Sequence, residues 1–200
     1  MAALRDPDNT RARILAVTAE EMRRHGFKAT SLAEIVKQAK ISKGALYHHF
    51  ANKQELGYAV FSEIFMAENT AFWQESVIEL DDPIEAFCQK LNCMPENMSN
   101  EDMECGCPIN SISQEMSADD EGFRKLTQQM YGNMRDLFEQ ALNKSKEKGL
   151  LREDVNIERS ALFIWACMQG ISSVAKVSRD RDLLVELVLA LQEFLNSLKK

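Results

Sequence analysis

Residues 30–50, TSLAEIVKQAKISKGALYHHF, constrain this chain more than any other stretch, because they encode two short helices joined by a tight turn. Ser31 stands where an N-cap is needed, and Glu34 three residues on completes a capping-box pattern that would satisfy orphan helix donors. Leu32, Ile35 and Val36 then fall on one face, as a core-facing helix requires. After Ala39-Lys40-Ile41 a second start signal appears at Ser42, and Leu46 and Phe50 supply the next helix with its buried side. The opposite side carries Ser42, Lys43, Gly44, Tyr47 and His48, which are small, basic and aromatic groups free to meet a ligand. A helix pair of this spacing, the second with a basic and polar outer face, is what a DNA-reading helix-turn-helix needs.

Helical signals continue along the chain. A first helix is expected from about Thr10 to His25, stopped by Gly26, with residues 1–9 as a frayed arm. Asn52 with Glu55 repeats the capping-box pattern and starts a long helix reaching Gln74 or Glu75. Asp82-Pro83 places proline at a first helical position and opens a helix to about Asn92. Residues 95–105 are acidic and unpatterned, and read as a loop. Cys107-Pro108 opens a short helix to about Ser117. Apolar residues from Phe123 to Leu142 recur at spacings of three and four, and two more helices start at Asn156 and Arg181. The fold class is therefore all-α, with about nine helices. A three-helix DNA-binding domain is expected over residues 1–51, and a larger helical domain over residues 52–200.

Charge is divided in the same way. Residues 1–60 hold ten Lys/Arg against six Asp/Glu, and the remainder holds fourteen against twenty-five, within a net charge of −7. Nucleic-acid binding follows the local patch, so overall acidity is no objection, and an acidic body would help turn the basic end towards DNA. The polar, proline-containing N-terminus does not read as a secretory signal. The apolar runs fall short of the roughly 18 residues that span a membrane. Five cysteines, an odd number, fit reduced thiols in a cytoplasm. A cytoplasmic protein with no membrane partner is expected.

From Arg13 to Leu56 the chain resembles the DNA-binding domain of the TetR family of bacterial transcription regulators. The matching elements are Ile14-Leu15, Gly26-Phe27, Thr30-Ser31-Leu32, Lys43-Gly44-Ala45-Leu46-Tyr47 and Phe50-x-x-Lys53-x-x-Leu56. A second resemblance, to the ligand-domain segment of one TetR subset, rests on Gly106-Cys107-Pro108-Ile109-Asn110 and on Gln114 through Arg124. The resemblance implies that Ser42, Lys43, Gly44, Ala45, Tyr47 and His48 read the major groove. It also implies that Thr30, Ser31, Tyr47 and Lys53 clamp phosphates. The family usually has glycine where this chain has Lys40, since a left-handed residue is common there. Replacing it costs about 1 kcal/mol, part of which a lysine charge beside a phosphate would recover. The expected partners are double-stranded operator DNA, a second copy of the chain, and a small apolar or aromatic effector.

Homodimerisation is expected through the last two helices, because the final one is apolar over two stripes where a single core needs one. Ile164, Met168, Ile171, Leu184, Val188, Leu191 and Leu195 are the interface candidates. An effector cavity is expected among Phe65, Phe72, Trp73, Phe87, Met130, Met134, Phe163, Trp165 and Met168, an aromatic and methionine set suited to an apolar guest. Cys107 joins this set: at a helix N-cap the dipole would favour its thiolate, so thiol-based sensing of electrophiles or oxidants is an alternative reading. A helical small-molecule-binding protein without DNA binding is another, against which the basic face at Lys40, Lys43 and Lys53 discriminates. Nothing positive supports an enzyme. His48 and His49 are adjacent and make a poor metal pair. Cys105-x-Cys107 lacks a second ligand pair, and no phosphate-cradling glycine loop or nucleophile elbow is present. No cofactor or metal is expected.

Overall fold

The computed structural model describes residues 7–77 and 81–200, with side chains from 9 to 74 and from 81 onward. The described part of the chain is helical throughout, with no strand beyond one isolated bridge between Leu151 and Lys199. The head consists of α1 (Pro7–Ala29), α2 (Leu32–Gln38) and α3 (Lys43–His49). Residues 7–9, expected in a frayed arm, belong to α1; the rest of that arm lies outside the described residues. Ile14, Met22, Ile35 and Leu46 meet in a fully buried core. Ser31 accepts from the Glu34 amide at 3.5 Å and Ser42 from the Ala45 amide at 3.1 Å, so both start signals act as caps. Lys40 takes a left-handed backbone, φ 51°, at the turn where the family resemblance implied one.

Gly26 breaks α1 with φ 77°, a conformation that costs a side-chain-bearing residue energy but not glycine. The break frees two amides, and both go to one carboxylate: Phe27 N and Lys28 N donate to Glu115 at 2.7 and 2.8 Å. A helix end of the head is thus closed by a residue 87 positions away. Charge pairs reinforce the closure, from Arg24 to Glu101 at 2.7 Å, Lys28 to Asp119 at 2.5 Å and Arg11 to Glu63 at 2.6 Å.

From the head a continuous rod leads into the body: α4 (Lys53–Val60), a π-helical stretch (Phe61–Met66) and α5 (Ala67–Val77). Asn52 caps it through the Glu55 amide at 2.8 Å. The π stretch widens the helical turn and so re-aims the side chains of α5; it leaves Phe61, Phe65 and Met66 buried. Gly57 lies flat against the Phe27 ring, where an added Cβ would come within 2.4 Å of a ring carbon.

The body comprises α6 (Pro83–Asn97), α7 (Asn100–Cys105), α8 (Pro108–Met116), α9 (Glu121–Glu147), α10 (Ile157–Ser178) and α11 (Arg181–Ser197). The expected loop over 95–105 is a correction. There α6 carries Pro95 inside it and runs on to Asn97, and Ser99 with Asp102 forms a full capping box that starts α7. Serine followed three residues later by a short acid was the signal, masked by its acidic surroundings. The Arg181 guanidinium closes the end of α6 by donating to the carbonyls of Pro95 and Met98. α10 is long and apolar enough to cross a membrane by length and composition, yet it packs along α9 and α11, so much of its apolar surface serves the core.

Candidate functional site

Two surfaces of different character emerge. On the head, the outer face of α3 presents Ser42, Lys43, Gly44, Tyr47 and His48 to solvent, with Ala45 half-buried beside them. The Lys43 ammonium lies 5.9 Å from the centre of the Tyr47 ring. Lys40 and Ser31 are also exposed. A short helix bearing these groups, backed by Leu46 in the head core, has the shape and charge to enter a major groove.

Two members of the expected contact set differ. Thr30 is buried at 4 % exposure and its hydroxyl donates inward to the Gly26 carbonyl at 2.7 Å, so it braces the break in α1. Lys53 leans over the Phe27 ring at 4.8 Å and donates to the Lys28 carbonyl at 2.9 Å. Its partial burial pulls the ammonium below its ordinary range, against the Glu115 charge that raises it. Spacing identified both as lying at helix starts but could not reveal which backbone carbonyls their polar ends meet.

The body holds a cavity of about 440 Å³ between α5, α7 and α10. Of the expected lining, Phe72, Trp73, Cys107, Trp165 and Met168 are there. Phe65, Phe87, Met130 and Met134 are not: all four are buried elsewhere in the core, with Phe87 stacked between Trp73 and Phe138 at 5.1 and 5.2 Å. Phe163 is displaced furthest, standing half-exposed on the outer face of α10 against Phe194 at 4.6 Å. Helical periodicity groups apolar residues without dividing core from cavity wall.

Sequence reading missed Met94, Met98 and Met103, which sat in or beside the supposed loop, and the polar wall of Asn69, Gln169 and Ser172. It also missed Arg23, which reaches the cavity from α1 while paired to Glu68 and lying 5.0 Å from the Phe65 ring centre. The α7–α8 corner is stitched to α10: Cys107 N donates to Ser172 Oγ at 3.2 Å, and Asn110 Nδ2 donates to the Gln169 carbonyl and to Ser173 Oγ.

Cys107 stands at the N-cap position of α8, and the amides of Ile109 and Asn110 pull its pKa down, as the dipole argument expects. Desolvation in the cavity wall is larger, and the thiol is pushed above its ordinary range. Among the described residues no group of three His, Cys, Asp or Glu is placed to hold a metal.

The expected dimer stripe requires correction as well. Ile164, Leu184, Val188, Leu191 and Leu195 are buried within the chain's own core, and Met168 and Ile171 face the cavity. The outward apolar groups are instead Leu162, Phe163, Val174 and Val177 on α10 and Leu183, Val185 and Leu189 on α11. With two apolar stripes on one helix, sequence shows that both need cover but not which one the chain covers itself.

Similarity to known proteins agrees with this architecture. Residues 14–60 match the family described as bacterial regulatory proteins, tetR family, and residues 79–191 match the tetracyclin repressor-like C-terminal domain. The chain is 27% identical over 177 residues to the HTH-type transcriptional repressor NemR of Escherichia coli K12, covering 86% of each protein. It is 27% identical over 181 residues to an uncharacterised HTH-type transcriptional regulator in the lacX 3' region of Lactococcus lactis, covering 88% of each. Its fold superposes on the reduced form of E. coli NemR with a TM-score of 0.81 at 21% identity, covering 96% of this chain and 97% of that one. A TetR regulator from Chloroflexus aurantiacus gives 0.82 at 22% identity, covering 98% of both. With both halves matched and a reading head of this geometry, the chain belongs to the TetR family of helix-turn-helix, DNA-binding transcription regulators.

Proposed function

We propose that the protein is a cytoplasmic repressor that holds a palindromic operator as a homodimer and releases it when a small apolar or aromatic molecule fills the cavity between α5, α7 and α10. The observation that carries this reading is the sharing of elements between cavity and head. Arg23 belongs to the head helix α1 and lines the cavity, and the rod that begins in the head as α4 ends as the cavity wall α5. A guest that spreads the wall would therefore act on the head through stiff helices. Lys43, Gly44, Tyr47 and His48 would read bases, with Ser31, Ser42 and Lys40 positioned for phosphates. The outward apolar strip on α10 and α11 would pair two subunits so that their heads meet half-sites one DNA turn apart, about 34–36 Å.

The test is operator binding by purified protein, after genomic fragments it captures have been sequenced to find the site. Lys43→Ala and Tyr47→Ala should each weaken specific binding by about 1–3 kcal/mol while thermal unfolding stays as in the parent. Unchanged affinity in both variants would remove α3 as the reading helix. Capture that is sequence-independent and collapses with added salt would reduce the head to a non-specific polyanion binder.

A further inference from the structure

Three buried polar atoms lack a hydrogen-bond partner among the described residues: Asn69 Oδ1, Trp165 Nε1 and Gln169 Oε1. All three residues line the one cavity between α5, α7 and α10. Native proteins leave few buried polar atoms unpaired, because each costs its desolvation. Their convergence on one cavity therefore describes the guest. Trp165 and Gln169 are one turn apart on α10, and Asn69 and Trp73 one turn apart on α5, so each wall carries an indole and a carboxamide on neighbouring positions.

The charged groups of the lining are already engaged. Arg23 is paired to Glu68, Lys176 donates to Ser111 Oγ at 2.9 Å, and the Asp102 carboxylate accepts from Ser99 N at 2.9 Å and Ser99 Oγ at 2.7 Å. The buried atoms without a partner among the described residues are neutral, two acceptors and one donor. The apolar surface around them consists of Phe72 and Trp73 with the thioethers of Met94, Met98, Met103 and Met168, a lining that favours a flat, polarisable body.

We infer that the effector is an uncharged aromatic molecule bearing a hydroxyl or N–H group, which donates to the Gln169 or Asn69 carboxamide oxygen and accepts from the Trp165 indole. Water can meet these three atoms while the cavity is empty. A purely apolar guest that displaces such water forfeits its hydrogen bonds, and an anion would set its charge against two carbonyl oxygens; a neutral donor–acceptor guest does neither. The inference rests on the cavity being the effector site, and its test separates the two.

Trp73 and Trp165 are the chain's two tryptophans, and both line the cavity. Their indole N–H resonances in nitrogen-15-labelled protein therefore report on the cavity alone, with Trp73→Phe assigning them. Three probes share one ring system: 2-naphthol, naphthalene and 2-naphthoate. The expected result is that 2-naphthol moves the Trp165 indole resonance downfield and binds at least tenfold more tightly than either of the others. Gln169→Leu should bring the naphthol-to-naphthalene ratio towards one while naphthalene still binds. Should that variant fold poorly, Asn69→Leu makes the same comparison from the opposite wall. Naphthalene binding as tightly as 2-naphthol, 2-naphthoate binding best, or no probe binding would each overturn the ligand class. Operator retention is followed in the same titration. If 2-naphthol binds as expected and the operator is still held, the ligand class stands and the effector role of the cavity falls.

Discussion

The joint between head and body and the cavity along the same rod are built on opposite terms. At the joint, Phe123 is fully buried with Phe27, Tyr58 and Phe61 around it at 4.7, 5.0 and 5.9 Å, and the Tyr58 hydroxyl donates to Asp120 at 2.7 Å. Each polar group there that the head frees, such as the Phe27 and Lys28 amides, is answered by the body. At the cavity, about 440 Å³ stays open and three polar atoms go unanswered among the described residues. Close-packed interfaces pass displacement on rather than absorbing it. The protein thus keeps its open space at the cavity and its rigidity where the head is held.

Perturbing the two places should bring out this difference, beginning with the joint. Phe123→Ala removes the ring that three others pack against and should cost about 3–5 kcal/mol in denaturant unfolding; a loss below about 1 kcal/mol would mean the joint is already loose. Next comes the Tyr58–Asp120 bond. The phenol of Tyr58 is pushed from 10.0 up to about 12, chiefly by that hydrogen bond and further by burial. Because its folded value is raised, the unfolded chain loses the proton first. The stability it contributes is complete below pH 10 and declines as pH rises towards 12. Tyr58→Phe should cost about 1.5 kcal/mol at neutral pH, the low end for a hydrogen bond to a charged group because the pair is partly solvated, and should flatten the decline. Unfolding curves between about pH 9 and 12 check this, and an equal slope in parent and variant would dismiss the bond. The smallest effect belongs to the cavity. Trp165→Phe removes an indole N–H that has no partner among the described residues, so stability should stay within about 1 kcal/mol of the parent. A loss comparable to that of Phe123→Ala would show the cavity to be as tightly built as the joint.

Much of the head was legible in the residues themselves. Ser31, Ser42 and Asn52 are local signals, and each caps the helix it announced. The exposed set on α3 follows from them, because seven residues with Leu46 inward leave Lys43, Gly44, Tyr47 and His48 outward. In the head, Thr30 and Lys53 have their polar ends on the Gly26 and Lys28 carbonyls at the break in α1, partners that lie outside their own helices. In the body, local signals again placed the starts of α6, α8, α10 and α11, while α7 was hidden in an acidic run. The π stretch at Phe61–Met66 leaves no local mark, and Phe65 within it is buried in the core where it was expected to line the effector cavity.

Sequence alone determined the helical class, α3 and its exposed residues, since capping and a repeat of about 3.6 residues act over a few neighbours and need no knowledge of the rest of the chain. Tertiary structure decided which apolar residues became core, cavity wall or outer strip. Met130 and Met168 have the same side chain on neighbouring helices, yet one is sealed in the core and the other faces the cavity. Leu184 and Leu183 are adjacent on α11, yet one points inward and the other outward. Hydrophobic burial is non-directional and proportional to area, so any of these residues satisfies it equally well in either place. Only the packing of α5, α9, α10 and α11 against one another assigns each its side.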